Sequence, residues 1–196
     1  MRTRNTVKEE LVKQKAIELI VKDGLENFSV NKLAKACGIS VATLYIYYKD
    51  KDDLIVKVAV EGARQMSAEV LKGFDPDASF EEGLRQQWRN RSRHMMENPM
   101  AAQLFELLRG STYHDEVYKV IVGDFTKSLG AFMENAIKRG EIDPLPMEVY
   151  WSVAFAPMYN LVRFHNEGKS IGGRRFTLTE ELLWQTFDLV LKALKK

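Results

Sequence analysis

The sequence predicts an all-α chain, built as a small N-terminal helical domain followed by a larger helical one. Three observations carry this. Apolar residues recur at three-four spacing almost throughout, and no alternating β-branched run is bounded by turns. Glycine and proline fall between those stretches, at Gly24, Gly38, Asn98-Pro99, Gly140 and the DPLP segment 143–146. Basic charge is concentrated at one end: residues 1–50 hold nine Lys or Arg against six Asp or Glu, and the remainder 20 against 21.

In chain order, residues 1–5 form a polar arm in which Arg2 and Arg4 either approach phosphate or remain solvated. A first helix follows from about Thr6 to Asp23, with Val12, Ala16, Leu19 and Ile20 inward and Gly24 as its stop. Ser29 caps a second helix carrying Val30, Leu33, Ala34 and Cys37 on one stripe, and Gly38 supplies the left-handed turn after it. Ser40 caps a third, short helix. At about 100° per residue, Leu44 and Tyr48 point inward, whereas Ala42, Tyr45 and Ile46 point out. The stretch 28–49 contains Lys32, Lys35 and Lys49 and no acidic residue, so an apolar-aromatic outer face is fringed with positive charge. Helix, glycine turn and helix with such a face suit insertion into a DNA groove.

The run GISVATLYIYYKDKDDL, with KAIELIVKDGLENFSV upstream, resembles the signature of the TetR (tetracycline repressor-like) family of transcription regulators over roughly Val7 to Val58. The resemblance implies an N-terminal three-helix helix-turn-helix DNA-binding domain and a C-terminal helical ligand-binding and dimerisation domain. It implies phosphate contacts from Ser29, Tyr47 and Lys51, a base-reaching position at Asn31, and groove-facing residues at Val41, Ala42, Thr43 and Tyr45. Lys13, Lys15 and Ile46 depart from the family's usual residues.

Asp50 caps a long fourth helix with Asp52 and Asp53 in its first turn, which places Lys51 beside the DNA backbone. The break at 74–79 is the clearest interruption in the helical pattern. We place residues 1–50 in the DNA-binding domain, with the linking helix starting there and running to about 56, and 51–196 in the second domain. The latter reads as helices from Ser79 to Glu97, Met100 to Leu108, His114 to Arg139, Met147 to Glu167, and Thr177 to Ala193 capped by Thr177 or Thr179.

The segments 147–164 and 182–194 are apolar on more than one face, so each must be covered on more than one side. A homodimer formed through the last two helices covers them, with Leu183 and Phe187 at the interface, and burial within one chain is the alternative. Trp88, Met95, Phe105, Phe125, Phe155 and Tyr159 are adaptable lining for an apolar pocket and equally ordinary core. The family resemblance implies an unknown small-molecule effector among them. In the run 85–94 most arginines read as a solvated face, with Arg85 and Arg89 beside Trp88 as a cationic option for an acidic ligand.

Composition bounds the rest. With 45% hydrophobic and 29% charged residues over 196 positions, the chain is an ordinary globular protein. A single cysteine, Cys37, excludes an internal disulfide and a cysteine-rich metal site. The histidines 94, 114 and 165 lack close helical spacing, and no Gly-x-Ser-x-Gly elbow or phosphate-binding glycine loop occurs, so neither a catalytic site nor a metal or cofactor is expected. No apolar run approaches the ~18 residues of a membrane span and the start has no apolar signal region, which predicts a cytoplasmic location. The expected function is a homodimeric regulator, a repressor released from a palindromic double-stranded operator by a small hydrophobic or amphipathic ligand that shifts the fourth helix. The alternative is a helical ligand-binding or protein-interaction module without sequence-specific DNA binding.

Overall fold

The computed structural model describes residues 2–196, and within them the side chains of 8–119, 123 and 127–196. Ten helices run through the described residues: α1 (Arg2–Asp23), α2 (Val30–Cys37), α3 (Val41–Tyr45), α4 (Lys51–Val70), α5 (Phe80–Glu97), α6 (Pro99–Arg109), α7 (His114–Lys138), α8 (Met147–Ala154), α9 (Ala156–Glu167) and α10 (Glu180–Leu194). Strands are absent among them apart from two isolated bridges, Ile142 with Lys195 and Lys169 with Arg175. Helix α1 starts at Arg2 where a start near Thr6 is expected. The side chains of Arg2 and Arg4 lie outside the described residues.

The chain forms two compact units that no single cut separates: Met1–Gln65 with Met100–Ile121, and Met66–Pro99 with Val122–Lys196. A division at residue 50 therefore follows the order of the chain and not the packing. Burial explains the difference. In the first unit Val12, Ala16, Ile20, Leu33, Leu44, Leu54 and Ala59 share one core with Leu104, Leu108 and Val117. Helices α1 to α3 have too little interior of their own, and α4, α6 and the start of α7 complete it.

The local signals of the first unit form as the sequence dictates. Ser29 Oγ accepts from Lys32 N and Ser40 Oγ from Thr43 N, both at 3.2 Å, and Gly38 closes α2 at φ 63°. Asp50 Oδ1 accepts from Asp53 N at 2.8 Å and Asp53 Oδ2 from Lys49 N at 2.8 Å, so two carboxylates satisfy backbone donors at the start of α4.

The second unit is built around an aromatic core. Phe80 stacks on Phe132 at 5.9 Å, Phe74 meets Phe132 edge-on at 5.2 Å, and Trp88 meets Phe187 edge-on at 5.4 Å. A Cβ on Gly83 would come within 2.2 Å of the Phe132 ring, so only glycine lets α5 approach it. Ser79 caps α5 with a reciprocal capping box to Glu82, and Thr179, not Thr177, caps α10.

Two expectations are corrected here. The helix expected over 147–167 divides at Phe155, because Pro157 has no N–H for the Val153 carbonyl and its ring would collide with that turn. The Trp88 indole donates to the Ala154 carbonyl at the break, 2.8 Å away. Leu183 and Phe187, expected at a subunit interface, are 4% and 0% exposed inside this chain's own core. The apolar residues α10 leaves outside are Leu182 and Leu189.

Candidate nucleic-acid interface

Helices α2 and α3 and the turn after them present the outer face of the first unit. Leu44 and Tyr48 anchor it from inside, at 1% and 6% exposure, while Tyr45 and Ile46 stand out at 52% and 76%. Ala42 and Asn31 are exposed as well, and Val41 and Thr43 are half-buried. Val41 packs on the core, whereas the Thr43 hydroxyl pairs with that of Ser40 at 2.9 Å. Tyr47 is exposed beside a small cleft that Thr43, Tyr48 and Lys8 also line. Helix α3 thus holds a methyl, an aromatic edge and a branched aliphatic group outward, a surface suited to thymine methyls and groove shape.

The positive fringe is less uniform than its composition implies. Lys32 turns back to Asp23 Oδ2 at 3.0 Å and to the Asn27 carbonyl at 3.2 Å, and Lys57 binds Asp53 Oδ2 at 2.9 Å and the Tyr47 carbonyl at 3.2 Å. Lys51 reaches the Glu26 carbonyl at 3.4 Å, a long contact that a phosphate oxygen would outcompete. Lys35 and Lys49 make no ion pair among the described residues. Hydrogen bonds from Lys57 and the Lys49 amide hold the Asp53 carboxyl below the usual range. Burial, reinforced by the nearby Glu9 and Asp53, pushes the Tyr48 phenol up to about 12, and burial likewise raises the Cys37 thiol, a half-buried packing group.

Residues 14–58 match the family of bacterial regulatory proteins called tetR. An 81-residue stretch is 36% identical to an HTH-type transcriptional regulator of Haemophilus influenzae, and a 69-residue stretch is 29% identical to the fatty acid metabolism regulator protein of Bacillus subtilis. These stretches cover 41% and 35% of this chain and 43% and 36% of the two relatives, less than half of either. The fold of a TetR family transcription regulator from Marinobacter aquaeolei superimposes with a TM-score of 0.87 at 28% identity, covering 100% of both chains. Residues 14–58 are thus of the tetR type, and the fold of the chain is similar to that of a TetR family regulator.

The residues expected around an effector are not all brought together. Trp88 and Phe155 are fully buried in the second unit's core, with Met95 and Tyr159 partly buried against it. Phe105 belongs instead to the first unit's core, where its ring lies 3.9 Å from the position of a Cβ on Gly62. The side chain of Phe125 lies outside the described residues. Arg85 lies over the Phe187 ring at 4.3 Å and pairs with Glu81 and Asp188, and Arg89 lies over Trp184 at 5.7 Å. A cleft of about 300 Å³ takes in Arg85 and Arg89, but Asp75 and Glu82 also line it, which offsets their charge.

Arg91 departs from the solvated face expected of most arginines in α5: it is 2% exposed. Its guanidinium carbon is 4.5 Å from the Phe155 ring centre and 5.1 Å from that of Trp151, Nε donates to Gln87 Oε1 at 3.2 Å, and Nη1 donates to Tyr159 Oη at 2.6 Å. The signal was available: Arg91 continues the inward stripe of Phe80, Leu84, Gln87 and Trp88 at helical spacing.

Proposed function

We propose that this chain is a homodimeric DNA-binding repressor that leaves a palindromic operator when a small hydrophobic or amphipathic ligand binds its second unit. The observation that carries the DNA-binding reading is the outer face of α3 and the residue after it, where Tyr45 and Ile46 stand exposed on a buried Leu44–Tyr48 anchor, with Lys35 and Lys49 in no ion pair among the described residues. An apolar face of this kind costs solubility and gains nothing unless a groove receives it. Ser29, Asn31, Ala42, Thr43, Tyr45, Tyr47 and Lys51 are its contact residues, and Val41 supports them from beneath.

The dimer reading rests on three of the apolar groups that α8 and α10 leave outside, Val149, Leu182 and Leu189, at 46%, 37% and 66% exposure. Two copies related by a two-fold axis cover these groups and bring two reading heads to half-sites about 34 Å apart. The test is a mobility-shift titration on the DNA upstream of the protein's own gene, against random DNA of the same length and at fixed salt. Preference for the upstream fragment by about a thousandfold or more is the expected result. Equal binding to both fragments would leave a helical module without sequence-specific DNA recognition.

A further inference from the structure

We propose that Lys57 is a positioning residue for DNA binding: without touching the nucleic acid, its ammonium fixes the turn that presents Tyr47 and Lys51 and cancels the charge of Asp53 beside them. The proposal rests on the DNA-binding reading above and assigns a residue that reading leaves out. Lys57 lies in the second turn of α4, and its Nζ ties together several parts of the first unit. It donates to the Tyr47 carbonyl at 3.2 Å, back across the turn, and to Asp53 Oδ2 at 2.9 Å, one helical turn earlier on α4. It also stands over the ring of Tyr48, the buried anchor of the outer face, at 5.8 Å from the ring centre. Asp53 Oδ2 in turn accepts from Lys49 N at 2.8 Å, and Asp53 N donates to Asp50 Oδ1 at 2.8 Å. The segment from Tyr47 to Asp53 thus closes on one ammonium.

A pair four residues apart on an exposed helix face contributes little by itself, and the Lys57 and Asp53 side chains are 54% and 27% exposed. What sets this one apart is the carbonyl of Tyr47, ten residues back, in the segment that leaves α3 and turns into α4. The charge has a second consequence. The first turn of α4 carries Asp52 and Asp53, which suit a helix N-terminus but repel phosphate. Hydrogen bonds from Lys57 and the Lys49 amide hold the Asp53 carboxyl below the usual range, so it is ionised wherever DNA binding is measured. Asp52 is turned to the Tyr113 hydroxyl, and Asp53 has Lys57. Two of the three ammonium donors are committed to these acceptors within the chain. Removing the ammonium therefore loosens the turn and leaves a bare carboxylate beside the phosphates, and neither effect depends on base sequence.

The experiment titrates the full chain with the upstream DNA fragment and with random DNA of the same length at several salt concentrations, below each variant's melting transition as read by circular dichroism. Lys57→Met is expected to lose about tenfold in affinity on both fragments and to leave their ratio unchanged. Adding Asp53→Asn restores the wild-type net charge and an acceptor for Lys49 N, so the double variant should recover part of that loss and remain weaker than wild type. Its salt dependence should equal that of wild type, whereas loss of a direct phosphate contact would flatten it by about one unit. The double variant also carries the test where Lys57→Met alone loses helicity. Wild-type affinity in a folded Lys57→Met, a loss on the upstream fragment alone, no recovery on adding Asp53→Asn, or a flattened salt dependence in the double variant overturns the proposal. Wild type that binds neither fragment removes the DNA-binding reading itself, and wild type that binds while the variants match it removes the role of Lys57 alone.

Discussion

The Tyr113 hydroxyl donates to Asp52 Oδ1 at 2.6 Å, joining the turn before α7 to the first turn of α4 within one compact unit. Asp52 is adjacent to Lys51, so a residue remote in sequence helps hold in place the end of α4 that we propose meets phosphate. Burial, with the hydrogen bond to Asp52 next, pushes the Tyr113 phenol up to about 12 from 10.0. The folded state thus keeps a proton that the unfolded chain loses near pH 10. Its stability contribution is complete below pH 10 and falls away as pH rises through about 12. Tyr113→Phe should cost about 1 kcal/mol at neutral pH and reduce this alkaline loss, leaving the share due to Tyr48. Urea denaturation between pH 7 and 11 reads both, and an unchanged alkaline slope would remove Tyr113 from the account.

Tyr45→Ala should weaken binding to the specific site by roughly 1 to 3 kcal/mol and leave random DNA almost unaffected, as for loss of one base-reading contact. Lys51→Ala should weaken all sequences alike and flatten the salt dependence by about one unit. Binding titrations at several salt concentrations separate the two roles. An equal loss on both DNAs for Tyr45→Ala would show that it does not specify sequence.

Charge on α10 should act differently on its two faces. Leu189, 66% exposed, is expected to tolerate Glu with full helicity while the dimer dissociates and operator affinity falls with it. Phe187, 0% exposed against Trp88, Trp184 and Arg85, should unfold the second unit when changed to Asp. Analytical ultracentrifugation with circular dichroism distinguishes these outcomes. A Leu189→Glu protein that remains dimeric would place the subunit contact elsewhere.

Gly83→Ala sets two effects against each other. Alanine favours a helix interior by about 1 kcal/mol, but its methyl would lie 2.2 Å from Phe132 Cε2, on a ring 1% exposed and held by Phe74 and Phe80. Overpacking of this kind costs about 1 to 3 kcal/mol, so the net effect should be a lower melting temperature. Adding Phe132→Leu should recover part of it, and a Gly83→Ala protein more stable than wild type would show that the ring moves freely.

By itself the sequence determined what depends on residues three or four apart. Ser29, Ser40 and Asp50 accept from nearby amides, Gly38 and Gly140 take left-handed turns, and Leu44 and Tyr48 oppose Tyr45 and Ile46, because caps, turn chirality and helical phase are local properties. The tertiary structure alone decided which faces of the more apolar helices are covered. Leu183 and Phe187 went inside and Leu182 and Leu189 outside, Phe105 joined the first unit's core while Trp88 joined the second's, and of the arginines of α5 it was Arg91 that was buried. A helix apolar on several sides, or one with arginines on several sides, carries no internal mark of which side meets another element. That choice is made by the shape and contents of the helices packed against it.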